Sequence, residues 1–168
     1  MPCGQCEATT KNGTRCKLRT CRTLKYCWIH LKKIDGLQIK KSEIPDAGLG
    51  LFSTKNRPYS KTKTNPTITY YSAERISDKP NEESDYILKV SKNHYLDSQN
   101  PRNFVGRYIN SFQYHQDRLK RRANVRFTRG TTIYKKDDRY VVPIKQKTKI
   151  NKGDELYINY GADYPIVK

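Results

Sequence analysis

The chain predicts a mainly β domain built from many short strands, with a small cysteine-rich module at its amino end. Three features carry that prediction. After Ile34 apolar and polar residues alternate in short runs, the two-residue period of half-buried strands. No stretch carries the sustained 3.6-residue period of a long amphipathic helix, and no internal repeat is visible. All five cysteines fall between Cys3 and Cys27, an odd number with no partners later in the chain. That distribution argues against disulfides stapling the main domain and for a local metal site. At 168 residues the chain can hold one main core plus an appendage. The change of texture sets a boundary between a basic module at 1–33 and a domain at 34–168.

The elements follow in order. Leu37 and Ile39 alternate with polar neighbours as a strand does, Pro45-Asp46-Ala47-Gly48 reads as a turn, and Leu49, Leu51 and Phe52 resume an extended run. Residues 55–65 form a charged, proline-containing loop. The β-branched and aromatic stretch 67–71 predicts a strand, and 86–90 another. Residues 103–112 have mixed character, a short helix or turn leading into an irregular segment. Three further strands are expected at 133–134, 139–144 and 155–160, with Asp137-Asp138 as a hairpin turn.

The formal net charge is +18. Such a surface concentrates polyanions and opposes cationic partners over about 8–10 Å, a Debye length at ordinary salt. Non-specific DNA or RNA backbone is the expected partner, through Lys32, Lys33, Lys40 and Lys41 and through the run 118–122 with Arg126 and Arg129. No apolar run approaches the roughly 18 residues of a membrane span, and Met1-Pro2-Cys3-Gly4 opens without a signal-peptide apolar stretch. A soluble, intracellular protein without membrane partners is expected.

Four separated motifs carry a resemblance to a known family. Gly48-Leu49-Gly50-Leu51-Phe52 is similar to a Gly-x-Gly turn, and Tyr71-Ser72-Ala73-Glu74 to a Tyr-x-Gly-Glu strand end. Arg107-Tyr108-Ile109-Asn110 is similar to Arg-Phe-Ile-Asn, and Gly153-Asp154-Glu155-Leu156 through Tyr160-Gly161 to a closing motif. In register, these resemble the SET domain of protein-lysine methyltransferases over roughly 36–164. With Gly161-Ala162-Asp163-Tyr164, they look most like the compact SET proteins of large DNA viruses.

The resemblance implies a SET fold of several short-stranded sheets with a knot-like carboxyl-terminal closure, and S-adenosyl-L-methionine as cofactor. It implies cofactor-binding roles for Gly48, Leu49, Gly50, Arg107, Asn110 and Ser111. Glycines let backbone approach a bulky ligand, and Asn110 offers a donor and acceptors to its amino-acid end. Tyr160 is implied to align the sulfonium, the methyl group and the lysine nitrogen, with Tyr86 and Tyr71 as further channel walls. Tyrosines suit such walls, being flat and apolar along the ring with a polar tip. Ile158 takes the place of the aromatic residue that limits how many methyl groups fit, so more than one methyl transfer is expected. Two departures stand out. Ser111 replaces the family's His, and the spacing to the next Asn is stretched to Asn124 by a basic segment.

In the amino-terminal module Cys6, Cys16, Cys27 and His30 make a soft ligand set suited to structural zinc, with Cys27-Trp28-Ile29-His30 as one half-site. Cys3 forms a rival Cys-x-x-Cys half with Cys6. The first set is favoured by a likeness to small Cys-Cys-Cys-His modules of large DNA viruses, which leaves Cys3 and Cys21 spare. So short a segment holds too little apolar material to fold without metal, and it should dock on nucleic acid or on the main domain.

The functional expectation is a protein-lysine N-methyltransferase acting on a histone or another chromatin-associated basic protein, in a host nucleus or at a viral replication site, with a homodimer admitted. The alternative is a catalytically inactive SET fold serving as a zinc-assisted nucleic-acid-binding module, because Ser111 retains the backbone pairing and loses the brace of the histidine ring.

Overall fold

The computed structural model describes residues 4–20, 24–79, 84, 86–99, 104–111, 122–128 and 133–160. Cys3, Cys21, His115, Arg129, the basic run 118–121 and Gly161-Ala162-Asp163-Tyr164 lie outside them.

At the amino end β1 (Gly4–Gln5) pairs antiparallel with β2 (Arg19–Thr20). Between them the chain reverses at Gly13, whose φ of 75° lies in the left-handed region that a Cβ would strain. A helical segment follows, α-helical over Trp28–His30 and π-helical over Leu31–Asp35, ending at Gly36 with φ 65°. Only Leu31 of it is buried, too little apolar periodicity for a helix to be read from sequence.

The hairpin of β3 (Leu37–Lys41) and β4 (Leu49–Ser53) encloses the expected turn, where Asp46 and Gly48 take φ values of 59° and 68°. Next come β5 (Thr67–Ala73), β6 (Ile76–Ser77), β7 (Ile87–Ser91) and β8 (His94–Asp97). The last three make a sheet in the order β6-β8-β7. Of the segment 103–112, the described residues 104–111 hold one 3-10 turn at Gly106–Tyr108 and the short β9 (Asn110–Ser111). Beyond them lie β10 (Val125–Phe127), β11 (Tyr134–Lys136), β12 (Arg139–Gln146) and β13 (Tyr157–Ile158). Strand β12 is the spine of the largest sheet, with β5 along one edge and β10 and β11 sharing the other. Asp137 and Asp138 turn the β11–β12 hairpin with φ 48° and 59°, the paired left-handed geometry of a two-residue hairpin.

The closing segment lies between two earlier ones. On one side Leu156 N–H donates to Leu51 O at 2.7 Å and Ser53 N–H to Asp154 O at 2.9 Å. On the other, β13 pairs parallel with β9, Tyr157 opposite Asn110 and Ile158 opposite Ser111. The strand expected over 155–160 is regular only at Tyr157–Ile158. Asn124 replaces the missing ladder: its Nδ2 donates to Glu155 O at 2.7 Å and its Oδ1 accepts from Tyr157 N–H at 2.9 Å. Around this insertion Leu37, Leu51, Val142, Ile144, Ile150, Leu156 and Ile158 are fully buried in one core.

The cysteine-rich module packs on that core. Leu31 belongs to the core cluster, with Leu24 and Tyr26 against it. Arg57, itself buried, donates through Nη2 to Asp35 O at 2.7 Å and Gly36 O at 3.1 Å, and through Nε to Ser53 Oγ at 3.1 Å. These donors serve carbonyls at the end of the helical segment, which have no partner within it. Burial lowers the Arg57 pKa from its usual value, opposed by the charge of Asp35.

Candidate functional site

The site grows from the strand that closes the fold. Tyr160, two residues past β13, donates its phenol hydrogen to Ile109 O at 3.0 Å. Its ring meets those of Tyr71 and Phe127 edge-on, with centroids 6.2 and 5.8 Å away, and Tyr71 meets Phe127 at 6.1 Å. Edge-to-face contacts at these separations are the preferred arrangement of aromatic quadrupoles. Tyr71 is buried, and its hydroxyl donates to Tyr86 O at 2.7 Å. The three tyrosines of the sequence reading are therefore linked in one cluster, Tyr86 through its backbone.

Asn110 follows Ile109 and connects this cluster to the glycine bend. Its Nδ2 donates to Leu49 O at 3.1 Å, Ser42 Oγ at 3.1 Å and Glu155 Oε1 at 3.2 Å. The acceptors decide which end of the amide is which: a carbonyl and a carboxylate accept only, so nitrogen faces them. That orientation spends the donors and turns Oδ1 away, an acceptor with no partner among the described residues.

Glu155 is the hub beneath. It is 2% exposed, and it accepts from Ser42 Oγ at 2.7 Å, Glu43 N–H at 2.7 Å and Tyr157 OH at 2.9 Å as well as from Asn110. A buried carboxylate requires such satisfaction. Its position also explains Gly50, since a Cβ there would overlap the Glu155 carboxyl group. Gly48 differs: its φ of 68° needs glycine, and no described atom lies within 4 Å of where a Cβ would stand. The bend thus presents open space at Gly48 and a packed wall at Gly50.

Arg107 lies elsewhere. Its guanidinium carbon sits 3.9 Å from the centroid of the Tyr86 ring, and its Nη1 donates to Ser98 O at 2.9 Å and to Gln99 O. Its guanidinium thus lies against the Tyr86 ring, while its buried Nε has no partner among the described residues. Ser111 is buried opposite Ile158, which is fully buried in the core. His94 is exposed and bonded to Ser91, far from the role of a substitute for the missing histidine ring. Sequence reasoning missed Ser42, Glu155, Asn124 and Phe127 as parts of this assembly. Asn124 is flanked by Ala123 and Val125, and Glu155 stands in the closing motif before Leu156, but only the fold shows that they meet. A separate cleft of about 280 Å³ opens beside Glu74, Ile87, Tyr95 and Asp97.

No family model matches the chain. No curated protein matches it either. Among solved structures it is similar to one described as ctPRC2 in an autoinhibited conformation bound to S-adenosylmethionine, with a TM-score of 0.52 and 16% sequence identity over 77% of this chain. The architecture is of the SET type. The chain spans 16% of the length of that neighbour, so the likeness is one of fold.

The second site is metal-like. The ligand atoms of Cys6, Cys16, Cys27 and His30 all lie within 4.8 Å of one another, and the three cysteines are buried and unpaired. His30 Nδ1 stands 3.6 Å from Cys6 Sγ and 3.3 Å from Cys27 Sγ. Burial acts to raise the Cys6 thiol, but backbone donors at Cys27 and Ala8 and the neighbouring thiols outweigh it and hold its pKa below the usual value. Burial pushes the Cys27 thiol up, reinforced by the adjacent Cys6. Three cysteine sulfurs and one imidazole nitrogen fit structural zinc in chemistry and number. The favoured ligand set of the sequence reading is thus assembled in space, and Arg15 steadies it by donating from Nε to Cys6 O at 3.0 Å.

Proposed function

We propose that the protein is an S-adenosylmethionine-dependent protein-lysine methyltransferase with a structural zinc module. The observation that carries the reading is the junction at Ile109-Asn110, where one residue receives the Tyr160 phenol and the next holds the carbonyl of the Gly48–Gly50 bend. The neighbour bound to S-adenosylmethionine supports it at the level of fold. The residues fit such a ligand: Gly48 opens onto space a side chain would fill, and Asn110 keeps an acceptor, Oδ1, that its bonds to Leu49, Ser42 and Glu155 do not use.

When bound, the cofactor supplies a methyl group on a sulfonium cation, whose charge also disfavours a neighbouring ammonium. The chain's own task is to present a neutral amine. At pH 7 a free lysine costs about 4–5 kcal/mol to deprotonate, from a pKa near 10.4 at roughly 1.36 kcal/mol per unit. Confinement among apolar ring faces lowers that cost, because burial disfavours the charged form by up to about 3–5 units. Tyr71, Phe127 and Tyr160 supply such faces. Tyr160 orients rather than reacts, its ring position set by the bond to Ile109 O. Ile158 brings no hydroxyl that could hold water in the pocket, so the reading includes transfer of more than one methyl group.

The substrate in this proposal is a histone or another basic chromatin protein, held because the +18 surface grips nucleic acid beside the target lysine. The kinship with compact viral SET proteins, a nuclear or replication-site location and homodimer formation belong to the same proposal. Radiolabelled methyl transfer to free histones and to nucleosomes tests it. Labelled lysine with nucleosomes preferred supports the reading, and equal labelling of free tails at moderate salt contradicts the nucleic-acid clause. A second reading, an inactive SET fold that binds nucleic acid, is favoured by Ser111 standing buried where a bracing ring is absent. Absence of any heat on titrating the cofactor would select it.

A further inference from the structure

The large sheet has two faces: one carries the main core, and the other buries Val141, Ser72 and Arg139 at its centre while leaving Tyr134 exposed. Tyr71 and Val142, opposite each other on β5 and β12, point inward. Their neighbours Tyr70 and Pro143, also opposite each other, point to the other face, as alternation along a strand requires. On that outward face Tyr70 meets Phe104 at 5.0 Å between ring centroids and Tyr134 at 6.2 Å, both edge-on. Tyr134 is 39% exposed. Lys136 Nζ hangs 5.4 Å from the centre of the Tyr70 ring.

The charges around these rings are arranged against the sheet's own interest. Arg126 on β10 lies directly opposite Lys145 on β12. Like charges in register destabilise a strand pair. Neither has a carboxylate partner among the described residues. Of the acids around this sheet, Glu74 is engaged by Arg139 at 2.8 Å and Asp137 by Lys25 at 3.5 Å, and Asp138 stands in the β11–β12 turn. A row of cations beside the exposed Tyr134 ring and the half-buried Tyr70 and Phe104 is complementary to a chain of phosphates that also offers flat apolar faces.

We propose that this face binds single-stranded nucleic acid, with bases stacking on Tyr134 and its neighbours Tyr70 and Phe104 and phosphates held by Arg126, Lys136 and Lys145. Stacking on rings needs unpaired bases, whereas cations alone serve a duplex equally well or better because its charge density is higher. The inference stands apart from methyl transfer, and its test contains no cofactor.

The test is fluorescence anisotropy of the full zinc-loaded chain with a labelled oligothymidylate, compared with a duplex of equal length over a salt series. The expected result is tighter binding to the single strand. Tyr134→Ala should weaken it by about tenfold and Tyr134→Phe should restore it, consistent with the contribution of one stacked base. Arg126→Ala with Lys136→Ala should flatten the salt dependence by about 1.4 in logarithmic slope, roughly 0.7 for each phosphate released. Removing the same charge from the exposed loop, Lys61→Ala with Lys63→Ala, should leave the slope unchanged. As a second measurement, a bromouracil-containing strand irradiated on the wild-type protein should cross-link to a peptide holding Tyr70, Phe104 or Tyr134. Equal or tighter duplex binding, an unaltered Tyr134→Ala variant, an equal loss in the loop control, or cross-links found only elsewhere would each overturn the proposal.

Discussion

Tyr160 and Ile109 are joined by a 3.0 Å hydrogen bond in which the phenol donates to a main-chain carbonyl. The bond ties the closing segment to the residue just before Asn110, whose side chain reaches the glycine bend. One peptide unit thus separates the anchor of the ring from the anchor of the bend.

Tyr160→Phe should separate function from stability. The lost hydrogen bond costs about 0.5–1.5 kcal/mol in thermal or denaturant unfolding. Methyl transfer under single-turnover conditions should fall far more, by about 100-fold, as expected when a positioning group near the reacting atoms is lost. A variant that keeps full activity would remove Tyr160 from the site.

Gly50 and Glu155 should be energetically coupled. Gly50→Ala drives a methyl group into the buried carboxyl group and should destabilise the fold by about 1–3 kcal/mol, the usual penalty for overpacking. In a Glu155→Ala background the same change should cost almost nothing. A double-mutant cycle by urea unfolding measures this, and additive effects would refute the contact.

Asn110→Asp should be worse for the fold than Asn110→Ala. The aspartate sets a second carboxylate about where Nδ2 now stands, 3.2 Å from Glu155 Oε1, and removes the donor to Leu49 O. Melting curves at neutral pH should rank wild type, Ala, then Asp. The gap between Ala and Asp should narrow as acid protonates the paired carboxyl groups.

Chelation should act first on the amino-terminal module. Removing zinc leaves a segment with too small a core to hold itself, so amide protection should vanish at residues 4–20 and 24–30 while β5 and β12 stay protected. Thiol titration should show Cys6, Cys16 and Cys27 becoming reactive together. If these thiols react equally fast before and after chelation, the ligand set is wrong.

Ile158 makes the product distribution a test of pocket shape. Extended turnover analysed by mass spectrometry should show dimethyl or trimethyl lysine, and only monomethyl product would contradict the role given to this aliphatic side chain.

Much of the main domain was legible because its strands alternate. The hairpin around Pro45–Gly48, the strand at 67–71 and the Asp137-Asp138 turn carry period and turn chemistry that local rules recognise. The closing strand was overextended because alternation continues to Tyr160, whereas Asn124 takes over the backbone bonds from a distant position. The helical segment at Trp28–Asp35 escaped notice because it buries only Leu31. In the site, Tyr160, Asn110 and the bend were named from motif order. Gly50 was assigned to ligand approach, yet the residue pressed against it is Glu155. Arg107 was assigned to cofactor binding, and its guanidinium lies over the Tyr86 ring. Such pairings join residues scores of positions apart, and no local pattern encodes them.

The most direct test of the central claim is calorimetric titration of S-adenosylmethionine into the zinc-loaded wild-type protein and Asn110→Ala. The account predicts one molecule bound per chain by the wild type and at least about tenfold weaker binding by the variant, the equivalent of 1.4 kcal/mol. No heat from a folded wild-type protein, or equal affinity for both, would contradict it.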